Sequence, residues 1–173
     1  SWDYWAQRVN VSNGALLGSN LQLTTTGNVY NYGGVAYDSN ANRYLVVYDG
    51  GASPPYGQLV SNTGTLVGSA FTIGAGTATG WGAAVCYDSS KHEFLVSYSG
   101  LQTASNYSIR VSQAGVPIGI AVSNTGAWEF IGTGNWPPRP VYNSVNDEYL
   151  IHWHNSYATI LDRRYKSAIT LTS

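Results

Sequence analysis

Apolar and polar positions along the chain fall into short runs, and no stretch of a dozen residues sustains a 3.6-residue apolar period. Three of the runs are copies of one unit: Val35 to Tyr48 reads VAYDSNANRYLVVY, Val85 to Tyr98 reads VCYDSSKHEFLVSY, and Pro140 to Trp153 reads PVYNSVNDEYLIHW. In each, two apolar segments flank a mainly polar tip, as in Asp38-Ser39-Asn40-Ala41-Asn42. Branched and aromatic side chains suit a pleated, half-buried surface, while Asp, Asn and Ser bond their own backbone in turns, so the pattern predicts a β-hairpin. From Tyr44 to Tyr48 apolar residues run without alternation, which predicts a strand covered on both faces.

A second pair of segments separates the hairpins. Trp5, Tyr56, Tyr107 and Tyr157 each open a short apolar run, about 50 residues apart. Turns with matching glycines follow the first three: Gly14 and Gly18, Gly64 and Gly68, Gly115 and Gly119. Each period thus offers four short strands separated by Gly, Asn, Asp and Ser. The chain divides into repeats at about 5–55, 56–106 and 107–156 and a half repeat at 157–173, all within one domain.

Four strands repeated at about 50 residues are the signature of a propeller blade. VAYDS…NRYLVVY, followed by Tyr56-Gly57-Gln58-Leu59-Val60-Ser61 and Gly64-Thr65-Leu66-Val67-Gly68, resembles the repeats of bacterial secreted and cell-surface β-propeller proteins. The resemblance implies an all-β chain of propeller-type blades, about three and a half four-stranded antiparallel repeats, working outside the cell or at its surface. Closed propellers have about four to eight blades. Three and a half repeats therefore predict unsatisfied sheet edges, completed by further blades of a longer protein, by a ring of copies of the chain, or by open-ended polymerisation through strand or blade exchange.

Composition narrows the functional classes. Charged residues are 10% of the chain, against about 25% in ordinary domains, so solubility rests on hydroxyls and amides. A formal net charge of −1 gives no electrostatic basis for binding nucleic acid. No apolar run reaches the ~18 residues of a membrane span. The single cysteine, Cys86, aligns with Ala36 and Val141 and reads as a small buried hydrophobe.

Catalytic motifs are missing: the chain has no G-x-S-x-G elbow, HExxH or phosphate-binding loop. The Ser-x-Asp-x-Gly-x-x-Trp box of sialidase propellers also has no match, because the Asp38-Ser39-Asn40 turn and its copies lack its Gly and Trp. Glu93 and Glu148 align with Arg43, a sign change that reads as a solvated position. His152 and His154 share a strand face, but no third metal ligand is suggested by spacing. The expectation is no catalytic residue, no metal and no cofactor.

Aromatic residues carry the one site that sequence suggests. Trp81 and Trp136 are repeat equivalents in the connections that precede the hairpins, with Tyr32 in the first connection and Trp128 in the longest. A flat ring beside amides and hydroxyls suits the apolar face and hydroxyl rim of a sugar. Trp81, Trp136, Trp128, Tyr32, Asn135 and Thr79 therefore form a candidate glycan site on one side of the repeat array. Three functions follow: a non-catalytic extracellular module that associates with itself or a partner, a lectin-like propeller, or a piece of a larger propeller enzyme or surface protein.

Overall fold

In a computed structural model, residues 3–25, 32–50, 54–74, 80–100, 105–124, 138–154 and 160–166 are described, with only the backbone at 80–81, 105, 154 and 160–166. The first sheet pairs β1 (Trp5–Val9) with β2 (Leu16–Gln22). The second runs β3 (Gly33–Asp38), β4 (Arg43–Tyr48), β5 (Tyr56–Ser61), β6 (Leu66–Thr72). The third runs β7 (Gly80–Asp88), β8 (Glu93–Gly100), β9 (Ser105–Ser112), β10 (Pro117–Ser123). The last holds β11 (Arg139–Asn143), β12 (Glu148–His154) and β13 (Ile160–Lys166). Every neighbouring pair is antiparallel. The chain is all-β, and its four-stranded meanders, packed on one another through their first strands, are propeller-type blades.

The two four-stranded sheets each begin with one of the hairpins and end with the two strands that open the next sequence repeat, so the sheets are offset from the repeats by two strands, and the last sheet joins its hairpin to β13. The hairpin turns close alike. Asp38 Oδ1 accepts the amides of Asn40 and Ala41 at 2.9 Å, and Asp88 Oδ1 those of Ser90 and Lys91 at 2.8 and 3.0 Å. Asn42, His92 and Asp147 take positive φ at the turn's end, each meeting a tyrosine hydroxyl from the first strand. The Tyr37 hydroxyl donates to Asn42 Oδ1 at 2.7 Å, for example.

Of the three other hairpins, β1–β2 and β5–β6 each carry a bulge centred on a glutamine, and β9–β10 has Ile109 at that position. Gln58 is 2% exposed, and its Nε2 donates to the carbonyls of Leu59, Val67 and Gly68 at 2.9, 3.3 and 3.3 Å. Gln7 Nε2 repeats this towards Arg8, Leu17 and Gly18. The extra residue of a bulge leaves carbonyls without ladder partners, and the amide supplies them.

Two cores form between the sheets. Leu45, Val47 and Leu59 of the second sheet pack on Phe94, Val96 and Val111 of the third. Leu95 on the third sheet's other face packs on Tyr149, Ile151 and Trp153 of the last. The backbones approach most closely at Gly34, where a Cβ would lie 3.1 Å from Ala84 Cα. The two-sided burial expected for the unbroken apolar run holds for β8, which lies between two sheets. In β4 it fails at Tyr44 and Val46, which are half-buried because their face looks away from the third sheet.

Candidate functional site

The open face of β3–β4 forms one side of a groove of about 660 Å³. Val35, Tyr44 and Val46 line that side, β1 and β2 line the other through Trp5, Gln7 and Leu21, and the Asn62-Thr63-Gly64 turn closes one end. Arg8 reaches this turn, its Cδ 3.1 Å from where a Gly64 Cβ would stand. Val35 is 61% exposed, whereas its repeat equivalent Val85 packs into the core.

The groove is a consequence of strand pairing. β5, β9 and β13 each pair with the second strand of a hairpin, β4, β8 and β12. β1 occupies their place in the first sheet but pairs only with β2 among the described residues. Its other edge therefore adjoins the groove with no strand beside it among the described residues. Gln7, on β1, has its Oε1 buried without a hydrogen-bond partner among the described residues. A sheet edge beside an apolar wall is the geometry that accepts a strand from another chain.

A polar cluster lies at one end of the first hairpins. Asp49, 2% exposed, accepts the Gly82 amide at 3.2 Å through Oδ2. Burial and then the negative charge of Asp49 push the Tyr4 phenol up to about 12, so the ring stays neutral and can donate. Tyr4 and Tyr48 hold their ring centroids 5.5 Å apart beside it. Sequence reasoning missed Asp49, which aligns with Ser99 and His154. That change of residue type along the repeats is the signal that could have found it.

Of the sequence-suggested glycan residues, Tyr32 is half-buried, and its carbonyl accepts the Ala83 amide at 3.4 Å. Trp81 stands in strand β7 opposite Ser99, not in a connecting loop, because the ladder with β8 extends back to Gly80. The Tyr32 bond brings the backbones at 32 and 81–83 to one end of the sheets. Thr79, Trp128, Asn135 and Trp136 lie outside the described residues. His152 is exposed in β12, and no group of three metal-ligating side chains occurs among the described residues.

Several charged groups are engaged in holding sheets together. Asp38 takes the Gln113 amide on both oxygens at 3.0 and 2.9 Å, and Asp88 Oδ2 takes the Tyr149 hydroxyl at 2.5 Å. Burial opposes ionisation of both aspartates, yet the hydrogen bonds they accept outweigh it and hold each below the ordinary carboxylate range. Glu93 is no solvated position: Arg110 Nε and Nη2 grip it at 2.7 and 3.0 Å, with both side chains mostly covered. Asn106 of the Asn106-Tyr107-Ser108 sequon is 1% exposed and accepts from Ser99 Oγ, a position closed to a glycan in the folded chain.

No family model matches the chain, and no curated protein matches it. Among solved structures it is similar to a chain of a nidogen/laminin complex, at 13% identity and TM-score 0.49, over 84% of this chain and 48% of that one. It is also similar to a GH43 endo-arabinanase from Bacillus licheniformis, at 14% identity and TM-score 0.44, over 90% of this chain and 61% of that one. The chain spans about half to three fifths of the length of these neighbours.

Proposed function

We propose that the chain is a non-catalytic extracellular interaction module that takes β-structure from a partner into the groove between β1–β2 and β3–β4. One observation carries the reading: β1 pairs on one edge only among the described residues, beside an apolar wall that includes the 61% exposed Val35. Strand addition supplies backbone hydrogen bonds along such an edge, and the wall supplies side-chain specificity. The engagement of Asp38, Asp88 and Glu93 between strands and sheets supports a scaffold rather than a reaction centre. An extracellular setting is supported by the low charge and the repeat resemblance.

The test is uptake of a cyclised peptide carrying residues 138–154, a hairpin of the repeat pattern. Fluorescence anisotropy should show saturable binding to the wild-type chain and none to Val35→Glu. Equal binding to both, or to neither, would overturn strand uptake at this groove.

A second reading has one observation in its favour, the Tyr32 carbonyl bond that gathers the segments of Tyr32 and Trp81 at one end of the sheets. A glycan site there predicts panel binding that Trp81→Ala removes. No binding across the panel sinks it.

A further inference from the structure

We infer that the occupant of the groove is the β11–β12 hairpin of a second copy of this chain, an inference that rests on the groove being a strand-accepting site. Inside the chain, β3–β4 packs on β7–β8, and β7–β8 packs on β11–β12, always with the same two kinds of face. Among the described residues, one face of each kind is not packed on another hairpin. The leftover face of β3–β4 carries Val35 and Tyr37, 61% and 44% exposed, and that of β11–β12 carries Val141 and Leu150, 60% and 37% exposed. The last hairpin of one copy therefore meets the first hairpin of another as β7–β8 meets β11–β12. The contact is heterologous, joining two different faces.

The polar clamp between hairpins has its counterpart at these ends. Tyr149 donates to Asp88 across the second hairpin interface. At the open ends, Tyr44 stands in the place of Tyr149 and Asn143 in the place of Asp88. The Tyr44 ring packs on Tyr37, and its hydroxyl makes no hydrogen bond among the described residues. Asn143 Oδ1 closes its own turn on the amides of Val145 and Asn146, which leaves Nδ2 as the outward group, 3.5 Å from Glu148 Oε1. In the assembled pair, Asn143 Nδ2 donates to the Tyr44 oxygen of the other copy.

Sterics then select between two third strands. The incoming β12 already carries β13 on the edge that β1 needs. β1 keeps the bulge glutamine shared with β5, whereas β13 places Arg163 at that register and has charge at four of its seven residues, Asp162, Arg163, Arg164 and Lys166. β1 therefore displaces β13, and a four-stranded sheet β11–β12–β1–β2 results. Applied reciprocally, each copy contributes three four-stranded sheets and the pair closes a ring of six, inside the range of about four to eight blades that propellers adopt.

Light scattering on the full chain over a dilution series tests this. The wild type should be dimeric at high concentration, and Val35→Glu and Val141→Glu should each be monomeric while keeping wild-type circular dichroism. An equimolar mixture of the two should recover dimers, because one of the two junctions then has both faces intact. Tyr44→Phe, which perturbs folding least, should raise the dissociation constant about tenfold. Hydrogen exchange of the dimer should show β1 amides protected and β13 amides exposed, with Val35→Glu showing the reverse. A wild-type chain monomeric at every concentration, association that survives Val141→Glu, or a mixture that stays monomeric would each overturn the inference. If the monomeric chain still takes up the cyclised 138–154 peptide, the strand-accepting groove stands and only its occupant is wrong.

Discussion

Tyr149→Phe isolates the hydrogen bond that joins the third sheet to the last. Asp88 is 0% exposed; its Oδ1 accepts from the Ser90 amide, Ser90 Oγ and the Lys91 amide, while Oδ2 accepts from Tyr149 at 2.5 Å. The substitution keeps the ring, and with it the packing on Tyr142 and Ile151, but leaves a buried carboxylate oxygen without its donor. Hydrogen bonds to charged groups contribute about 1.5–3 kcal/mol, so a loss of roughly 2 kcal/mol is expected at neutral pH. For a chain of this size that lowers Tm by about 4–8 °C. The Asp88 pKa lies below its ordinary 3.8 in the folded chain: burial raises it, but the bonds from Tyr149, Lys91 and Ser90 prevail. A depressed folded pKa contributes stability that is complete above the unfolded value and is lost as pH falls through the folded one. The gap between wild type and variant should therefore be full near neutrality and shrink below 3.8. Urea unfolding at about pH 7 and about pH 3 measures both terms. A loss under about 0.5 kcal/mol at neutrality, within the range of an ordinary surface substitution, or the same loss at both pH values, would refute the assignment.

Gln58→Ala should destabilise the chain by about 1–3 kcal/mol, because it strands carbonyls at a buried bulge; urea unfolding that shifts by less would show that water replaces the amide. Cys86, half-buried against the second core and with its thiol pushed up to about 12 by burial and then by Asp88 despite a backbone hydrogen bond from Leu95, should react slowly with iodoacetamide at about pH 8 and faster on unfolding. Mass spectrometry before and after denaturant addition reads the difference, and rapid labelling of the native chain would contradict the burial.

The hairpins were legible in sequence because their constraint is local: a polar tip of Asp, Asn and Ser between apolar strands closes its own turn wherever it lies in the chain. The four-strand period followed from the same punctuation. Grouping into sheets was not legible, since a period can be cut at any strand and only pairing between distant strands makes β3–β6 one unit. The same limit displaced the last repeat. Tyr157 matches Tyr56 in spacing, but the structure puts Leu161 opposite Trp153, as Tyr56 lies opposite Tyr48. Glu93 read as solvated because its partner Arg110 is 17 residues away, on the neighbouring strand. The groove was foreshadowed by the half repeat, yet its location depended on which strand lost its neighbour. By repeat alignment Trp81 falls in a connection that precedes a hairpin, and only pairing between strands shows otherwise. Pairing with Gly100 and Ser99 carries both Gly80 and Trp81 into a ladder.

The departures between copies follow a rule that only the stacking reveals. At the second position after each tip the chain carries Tyr44, Phe94 and Tyr149, and at the tip's first residue Asp38, Asp88 and Asn143. Each aspartate looks to the following sheet for its second set of donors. Asp88 finds Tyr149, and Asp38 faces Phe94, which has no hydroxyl. Gln113, from the turn between β9 and β10, donates to both Asp38 oxygens, and the Tyr87 hydroxyl, 3.5 Å from Gln113 Nε2, is a further donor that, against burial, lowers the Asp38 carboxyl pKa. A buried carboxylate left short of donors costs about 1–3 kcal/mol or more, so loss of the tyrosine hydroxyl at Phe94 and the donor from Gln113 belong together. The rule extends to the ends. Asn143, with no following sheet among the described residues, replaces the carboxylate by a neutral amide that tolerates water, and Tyr44 keeps a hydroxyl that makes no hydrogen bond among the described residues. Asn143→Asp recreates the Asp88 arrangement at the open face. It should tighten self-association of the wild-type chain and leave Tyr44→Phe unchanged, a coupling that a solvent-facing asparagine would not show.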